Sequence, residues 1–154
     1  MEKREITEIR VVIADDHPAF REGLCRLLDE EAGITVVGTA ADGETAVQQV
    51  QEHQPNVAVL DVTMPKLNGI EATKQIRGVS PETSVLIVSA HSFSSYILAA
   101  LRAGAAGYIL KTAALEEIIN AVRLVHAGEG VFDLKAGGRV LSRLADGKIE
   151  KKAI

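Results

Sequence analysis

Five short runs of β-branched and aliphatic residues recur along the first 110 positions of the chain. Several are apolar without interruption, which is typical of strands that are covered on both faces. Their first residues are 25, 23, 27 and 23 positions apart, so the spacing is nearly constant. The pattern therefore predicts five strands in similar surroundings, at residues 9–14, 34–39, 57–60, 84–89 and 107–110.

The stretches between these runs have the spacing of amphipathic helices. In the first, Phe20, Leu24 and Leu28 share one apolar stripe, and Pro18 stands where a helix would begin. Further helices are predicted over 43–53, 70–77, 94–103 and 115–122, of which 94–103 has the fewest large apolar residues. This alternation predicts an α/β fold, a doubly wound five-stranded parallel sheet with helices on both faces.

The pattern changes after Gly128, where we predict no further strand. Val140, Leu141 and Leu144 have helical spacing, and residues 148–152 are polar. We therefore divide the chain into a lead-in at 1–8, a globular domain at 9–128, and a linker helix with a polar tail at 129–154. The apolar residues of 131–144 are too many for a solvated linker, so we expect this segment to pack on the domain or to pair with a second copy.

Composition supports one folded domain in a reducing compartment. The chain has 154 residues, of which 47% are hydrophobic and 25% charged. A net charge of −4 argues against a basic surface for nucleic acid. The single cysteine, Cys25, excludes a disulfide framework and reads as a small core residue. The sequence contains no secretory signal and no apolar run of membrane-spanning length, so we expect a cytoplasmic protein without a membrane partner.

Polar residues follow four of the predicted strands. Asp15 and Asp16 close the first strand, Asp61 the third, Ser89 the fourth and Lys111 the fifth. In an open α/β sheet, ligands bind outside the carboxyl ends of the strands. An acidic residue at one strand end is common in turns without any function, but we expect these four ends to meet at one edge.

The types of these residues indicate phosphoryl transfer. Crowded carboxylates repel each other by roughly 4 kcal/mol per close pair at an effective dielectric constant near 20. A hard divalent cation relieves this repulsion, and Mg²⁺ accepts one or two carboxylates plus waters. The lysine can neutralise phosphoryl oxygens, and the serine can donate a hydrogen bond to them. Asp61, the central carboxylate, can then act as the nucleophile.

The combined motifs closely resemble the receiver domain of two-component response regulators, over roughly residues 8–128. The resemblance is carried by Asp15-Asp16, Asp61-Val62-Thr63-Met64-Pro65 with Gly69, Ser89-Ala90, and Tyr108-Ile109-Leu110-Lys111. Details typical of the NarL/FixJ (LuxR-type) branch are Asp15-Asp16-His17-Pro18, Arg21-Glu22-Gly23-Leu24, and Ala103-Gly104-Ala105-Ala106-Gly107-Tyr108. The implied fold is the flavodoxin-like sheet of receivers.

The resemblance implies a role for each matching residue. Asp61 would accept a phosphoryl group from a sensor histidine kinase. The metal site would consist of Asp15, Asp16, Asp61 and the backbone carbonyl of Thr63, with Asp16 and the Thr63 carbonyl in direct contact with Mg²⁺ and Asp15 acting through water. Lys111 would pair with the phosphoryl group. Ser89 and Tyr108 would report its presence, since the serine can move toward the phosphoryl oxygens and leave room for the tyrosine ring. Such a protein is a phosphoacceptor that catalyses only its own phosphorylation and dephosphorylation.

Two features depart from the family pattern. Many receivers have proline after the lysine, where this chain has Thr112. The helix-turn-helix domain of the branch is not found in these 154 residues, so contact with DNA would need that further domain. We interpret the chain as the receiver of a transcription regulator. A receiver that acts alone through protein–protein contacts is the alternative. In either case we expect a homodimer through the fourth and fifth helices or the linker.

Rival functions fail at particular positions. A phosphatase that forms the same acyl phosphate needs a second aspartate two residues after the nucleophile, where this chain has Thr63. A nucleotide or flavin binder needs a glycine- or threonine-rich loop after the first strand. A pseudo-receiver would lack a site residue, and none is lacking.

Two histidines keep open roles. His17 is either a metal ligand or a helix-start residue, and His91 is either a residue at the rim of the site or an ordinary exposed histidine.

Overall fold

Strands and helices alternate along residues 8–133, the part of the chain that the computed structural model describes. The five predicted strands and five predicted helices are all present, with ends that differ by a few residues at most. In chain order the elements are β1 (Ile9–Ala14), α1 (Pro18–Asp29), β2 (Ile34–Ala40), α2 (Gly43–His53), β3 (Val57–Leu60), α3 (Gly69–Val79), β4 (Ser84–Ser89), α4 (Ser94–Ala103), β5 (Gly107–Leu110), α5 (Leu115–His126) and β6 (Val131–Asp133).

All strand pairs are parallel, and the strand order is β2-β1-β3-β4-β5-β6. The chain first moves outward from β1 to β2 and then crosses back to β3 on the other side of β1. This reversal places a crevice at the carboxyl ends of β1 and β3, which is where ligands bind in doubly wound sheets. The predicted fold class is confirmed, with one more strand than expected.

Each face of the sheet has its own apolar core. Helices α2, α3 and α4 pack on one face, with buried contacts that include Val50, Ile76 and Ile97. Helices α1 and α5 pack on the other, with contacts that include Leu28 and Ile118. The strands between them are apolar on both sides, which explains their uninterrupted hydrophobic runs.

Local hydrogen bonds determine where the helices begin. Asp42 caps α2, since its carboxylate accepts a hydrogen bond from the Thr45 amide at 2.7 Å. Asn68 caps α3 by accepting from the amides of Ile70 and Glu71. Pro18 begins α1, where its missing amide hydrogen costs nothing. The longest helices have 12 residues, and none of the described ones is long and apolar enough to cross a membrane.

The prediction of no strand after Gly128 is wrong. Val131–Asp133 form β6, parallel to β5, at the edge of the sheet. Gly128, at φ +92°, reverses the chain after α5. The side chain of Phe132 is buried, with 6% exposure. This burial stabilises a strand that is too short to show any periodicity in the sequence. The predicted linker helix and polar tail beyond residue 133, and the lead-in over residues 1–7, lie outside the described residues.

Candidate functional site

The carboxyl ends of four strands bring the candidate residues to one edge of the sheet. Asp61 follows β3, and its amide donates to the carbonyl of Ala14 at the end of β1, at 3.1 Å. Lys111 follows β5, and its amide donates to the carbonyl of Ser89 at the end of β4, at 2.8 Å. The hydrogen bonding of the sheet thus continues one residue beyond the strands. It fixes the backbone positions of Asp61 and Lys111, whose side chains are functional.

Three carboxylates form a compact cluster. Asp15, Asp16 and Asp61, together with His17, each offer a ligand atom within 4.8 Å of the others. Asp15 is 2% and Asp61 is 4% exposed. The Oδ1 atom of Asp16 is buried and has no hydrogen-bond partner among the described residues. An oxygen donor set with an unsatisfied carboxylate atom fits a hard cation such as Mg²⁺.

Lys111 lies over this cluster. Its Nζ atom is 2.8 Å from Oδ2 of Asp15 and 3.3 Å from Oδ2 of Asp61. Burial lowers the pKa of Lys111, but the hydrogen bond to Asp15 and the charges of both carboxylates outweigh burial and raise it. The peptide bond between Lys111 and Thr112 is trans. The ammonium therefore remains charged and compensates part of the negative charge of the cluster.

Asp61 is the carboxylate in the least favourable surroundings. Burial raises its pKa above the ordinary value of 3.8, and the charge of Asp15 raises it further. The charge of Lys111 and its hydrogen bond to Asp61 act in the opposite direction. A carboxylate that is poorly solvated keeps its lone pairs available, which suits a nucleophile.

The loop after β3 holds Asp61 from behind. The amide of Gly69, the first residue of α3, donates to the carbonyl of Val62 at 2.8 Å. A side chain at Gly69 would overlap the backbone carbonyl of Asp61, so only glycine permits this close approach. The start of α3 thus packs directly on the backbone that carries the nucleophile.

Thr63 and His91 meet at the rim of the cluster. The hydroxyl of Thr63 lies 3.3 Å from Nε2 of His91. His91 stacks on Phe93 at a centroid distance of 5.7 Å, and Tyr96 contacts both rings edge-on. The contact between Thr63 and His91 involves the hydroxyl of Thr63 and not its backbone carbonyl. Metal binding by that carbonyl therefore stays a prediction.

Ser89 and Tyr108 both contact the backbone of His91. The hydroxyl of Ser89 accepts a hydrogen bond from the His91 amide at 3.0 Å, and the hydroxyl of Tyr108 donates to the His91 carbonyl at 2.8 Å. The tyrosine ring is fully buried in this structure, and its movement into space left by the serine stays a prediction. The two residues are coupled in this structure through His91.

The structure adds Phe20 and Arg21 to the site and places His17, already a candidate from the sequence, beside the acidic pair. Phe20 places its ring 4.7 Å from the Lys111 ammonium. Arg21 donates from Nη1 to the carbonyl of Asp15 at 2.7 Å. His17 occupies the N-cap position of α1 without a side-chain capping hydrogen bond, and its Nδ1 atom lies 3.2 Å from carboxylate oxygens of both Asp15 and Asp16. The sequence signal for all three is their position within one helical turn or so of the acidic pair.

A family model places the fold and the site in a known context. The model of the response regulator receiver domain matches residues 11–123 of the chain. That range contains the carboxylate cluster, Ser89, Tyr108 and Lys111.

Curated relatives carry the names of regulatory proteins. The chain is 42% identical over 121 residues to the transcriptional regulatory protein DegU of Brevibacillus brevis, a match that covers 79% of this chain and 51% of the relative. It is 43% identical over 128 residues to the oxygen regulatory protein NreC of Staphylococcus haemolyticus, covering 82% of this chain and 59% of the relative. The chain thus spans between half and three fifths of these relatives.

Solved structures agree with the sequence comparison. The signal receiver domain of the response regulator NarL from Mycobacterium tuberculosis has a TM-score of 0.77 and 40% identity, covering 80% of this chain and 99% of that one. A LuxR-family response regulator from Aurantimonas has a TM-score of 0.83 and 33% identity, covering 90% and 99% of the two chains. This chain therefore belongs to the response regulator receiver domain family, in its NarL/LuxR-type branch.

Proposed function

We propose that the chain is the receiver of a transcriptional response regulator, in which Asp61 accepts a phosphoryl group from a sensor histidine kinase. The observation that carries the proposal is the meeting of three carboxylates and one ammonium at one edge of the sheet. Membership in the receiver family supports the same assignment. We place the receiver unit at residues 9–128, with β6 attached to it.

The proposed step is an in-line displacement at phosphorus. One oxygen of the Asp61 carboxylate forms a bond to phosphorus while the bond to the kinase histidine nitrogen breaks. The electron pair of that bond returns to the imidazole, and the product is an acyl phosphate on Asp61. Lys111 lies 3.3 Å from Asp61 and supplies positive charge to the phosphoryl oxygens.

The residues present fit a Mg²⁺ ion. Asp16 and the Thr63 carbonyl would bind it directly, and Asp61 belongs to the same set. The Oδ1 atom of Asp16 accepts no hydrogen bond from the described residues, although Nδ1 of His17 lies 3.2 Å away. Asp15 would contribute through water. When bound, the ion neutralises charge on the phosphoryl oxygens and on the clustered carboxylates.

Ser89 and Tyr108 are the proposed switch residues. The hydroxyl oxygen of Ser89 accepts a hydrogen bond from the His91 amide, so its O–H can still donate to a phosphoryl group on Asp61 and would be drawn toward that group. Any shift of His91 moves the acceptor of the Tyr108 hydroxyl as well. The signal would then pass into β5 and α4, which flank these two residues.

The output of the whole protein is inferred from its relatives. The DegU relative is named a transcriptional regulatory protein, and the chain spans about half of it. We infer that DNA would be bound outside the receiver and that the protein works in the cytoplasm, where the kinase presents its phosphohistidine. A homodimer through α4 and α5, or through residues 131–144, is the proposed route to the output.

The test is phosphorylation of the full chain by acetyl phosphate, read by intact mass. We expect one phosphoryl group on the wild type with Mg²⁺, none with EDTA and none on Asp61→Asn. Asp16→Asn should need much more Mg²⁺ for the same yield. The matched control is Asp29→Asn, an exposed aspartate at the other end of α1, which should behave as the wild type. A full adduct on Asp61→Asn would place the nucleophile elsewhere.

A further inference from the structure

Four groups surround the ammonium of Lys111, and one of them is a hydrocarbon ring. Asp15 and Asp61 lie at 2.8 and 3.3 Å, and Nδ1 of His17 at 3.5 Å. On another side, the centre of the Phe20 ring lies 4.7 Å from Nζ. The lysine side chain is only 15% exposed, so this ring replaces part of its water shell.

We propose that Phe20 is a positioning residue for phosphoryl transfer, whose ring holds the Lys111 ammonium above Asp61. The proposal rests on the proposed function. The face of an aromatic ring carries partial negative charge and attracts a cation, more strongly where little water competes. Phe20 lies in the first turn of α1 and packs against the core of the α1 and α5 face, so its ring is fixed.

The ring is useful because the shortest ion pair of Lys111 is with the wrong carboxylate. Nζ lies closer to Asp15 than to Asp61, the nucleophile. Asp15 shares its charge with a divalent cation once one is bound, so its attraction for Lys111 weakens when the phosphoryl oxygens need the ammonium. Phe20 has no ligand atom for a metal, and its attraction for Lys111 does not depend on the cation.

Two substitutions separate the ring face from its packing. Phe20→Leu retains an apolar side chain of similar size but removes the π face. Phe20→Tyr retains the ring. Because the chain has only three phenylalanines, the matched control is Phe93→Leu, at a ring that is 58% exposed and contacts His91 and Tyr96 rather than the lysine.

The experiment measures the rate of phosphorylation by acetyl phosphate at saturating Mg²⁺ with the full chain. We expect Phe20→Leu to lower the rate about three- to tenfold and to weaken binding of beryllofluoride by a similar factor. Phe20→Tyr should stay within about twofold of the wild type, and Phe93→Leu should leave the environment of the Lys111 ammonium unchanged. In NMR spectra, the Hε protons of Lys111 should show an upfield ring-current shift in the wild type and Phe20→Tyr, and lose it in Phe20→Leu.

The outcomes distinguish a failure of the role of Phe20 from a failure of the proposed phosphoacceptor function. A wild type that takes no phosphoryl group refutes the proposed function, whereas wild-type rates in Phe20→Leu refute the role of the ring. Equal slowing in Phe20→Leu and Phe20→Tyr would show that the ring face is irrelevant. On a Lys111→Met background, Phe20→Leu should have no further effect on beryllofluoride affinity, and an undiminished effect would overturn the proposal.

Discussion

Asp61 combines two requirements that conflict at the scale of one residue. A nucleophile must be ionised, yet this carboxylate is 4% exposed and lies beside Asp15. Its pKa is raised, so the folded state holds the proton of Asp61 more tightly than the unfolded chain does. Protonation therefore stabilises the fold. This contribution is complete below the unfolded pKa and is lost as the pH rises through the folded pKa.

Replacing Asp61 by asparagine should therefore stabilise the protein at neutral pH. We expect Asp61→Asn to raise the free energy of unfolding by about 1–2 kcal/mol at pH 7 without divalent cations, because a buried charge is removed while Lys111 keeps Asp15. The gain should shrink as the pH falls toward the ordinary pKa of 3.8. Urea unfolding at several pH values measures it, and a loss of stability at pH 7 would contradict the sign.

Asp42 provides a control of opposite sign. The Thr45 amide lowers the pKa of this helix cap, so its ionised form stabilises the fold above the unfolded pKa and loses that effect as the pH falls. Asp42→Asn keeps a good N-cap. It should therefore give no gain in stability at neutral pH.

Sequence reasoning finds residues of the site according to how they reach it. Asp15, Asp61, Ser89 and Lys111 close predicted strands, and the strand-end rule brings them together from sequence alone. Phe20 reaches the same place from a helix, where its spacing reads as part of a core stripe. Helix periodicity indicates which face of α1 is apolar. It does not indicate that a residue in the first turn of that face contacts the Lys111 ammonium.

At the scale of elements, α3 contains two glycines in different surroundings. Gly69 begins the helix against the carbonyl of Asp61, where a Cβ atom has no room. Gly78 lies near the other end, exposed, with open space around it. The first supports the site, and the second only adds freedom to the unfolded chain.

Alanine at the two positions should have opposite effects. Gly69→Ala should lower the free energy of unfolding by about 1–3 kcal/mol and slow phosphorylation, because the β3–α3 loop must move. Gly78→Ala should raise it by about 0.5–1 kcal/mol and leave phosphorylation unchanged. Chemical denaturation and acetyl phosphate kinetics of both variants test this. Equal effects of the two substitutions would show that the close approach at Gly69 is unimportant.

The element pattern was predictable because the central strands are buried on both faces. Four consecutive apolar residues occur in each of β1, β3 and β4, at 11–14, 57–60 and 85–88, and no amphipathic helix would place such residues in a row. β6 has three residues between a glycine-rich turn and the end of the described chain, so neither its length nor its alternation gives a signal. Its position follows from pairing with β5, which is a tertiary effect.

For the whole molecule, the contacts of His91 predict which elements respond to a phosphoryl group on Asp61. It joins Thr63, Ser89 and Tyr108, and thereby the Asp61 loop, β4 and β5. We expect beryllofluoride with Mg²⁺ to change amide hydrogen exchange over residues 89–108, by several-fold at α4, and to leave α2 unchanged. Changes confined to residues 61–68 would exclude this route.

The sixth strand changes where the chain leaves the fold. Each strand runs toward the end of the sheet that holds Asp61, and each helix returns the chain to the opposite end. A chain that ended after α5 would finish at that opposite end, but β6 crosses the sheet once more. Asp133 pairs with Ile109, only two residues before Lys111. Asp133 thus lies at the same end of the sheet as the carboxylates, three strands away from β3, and a short tether from that point gives a local concentration on the order of millimolar before any interface has formed.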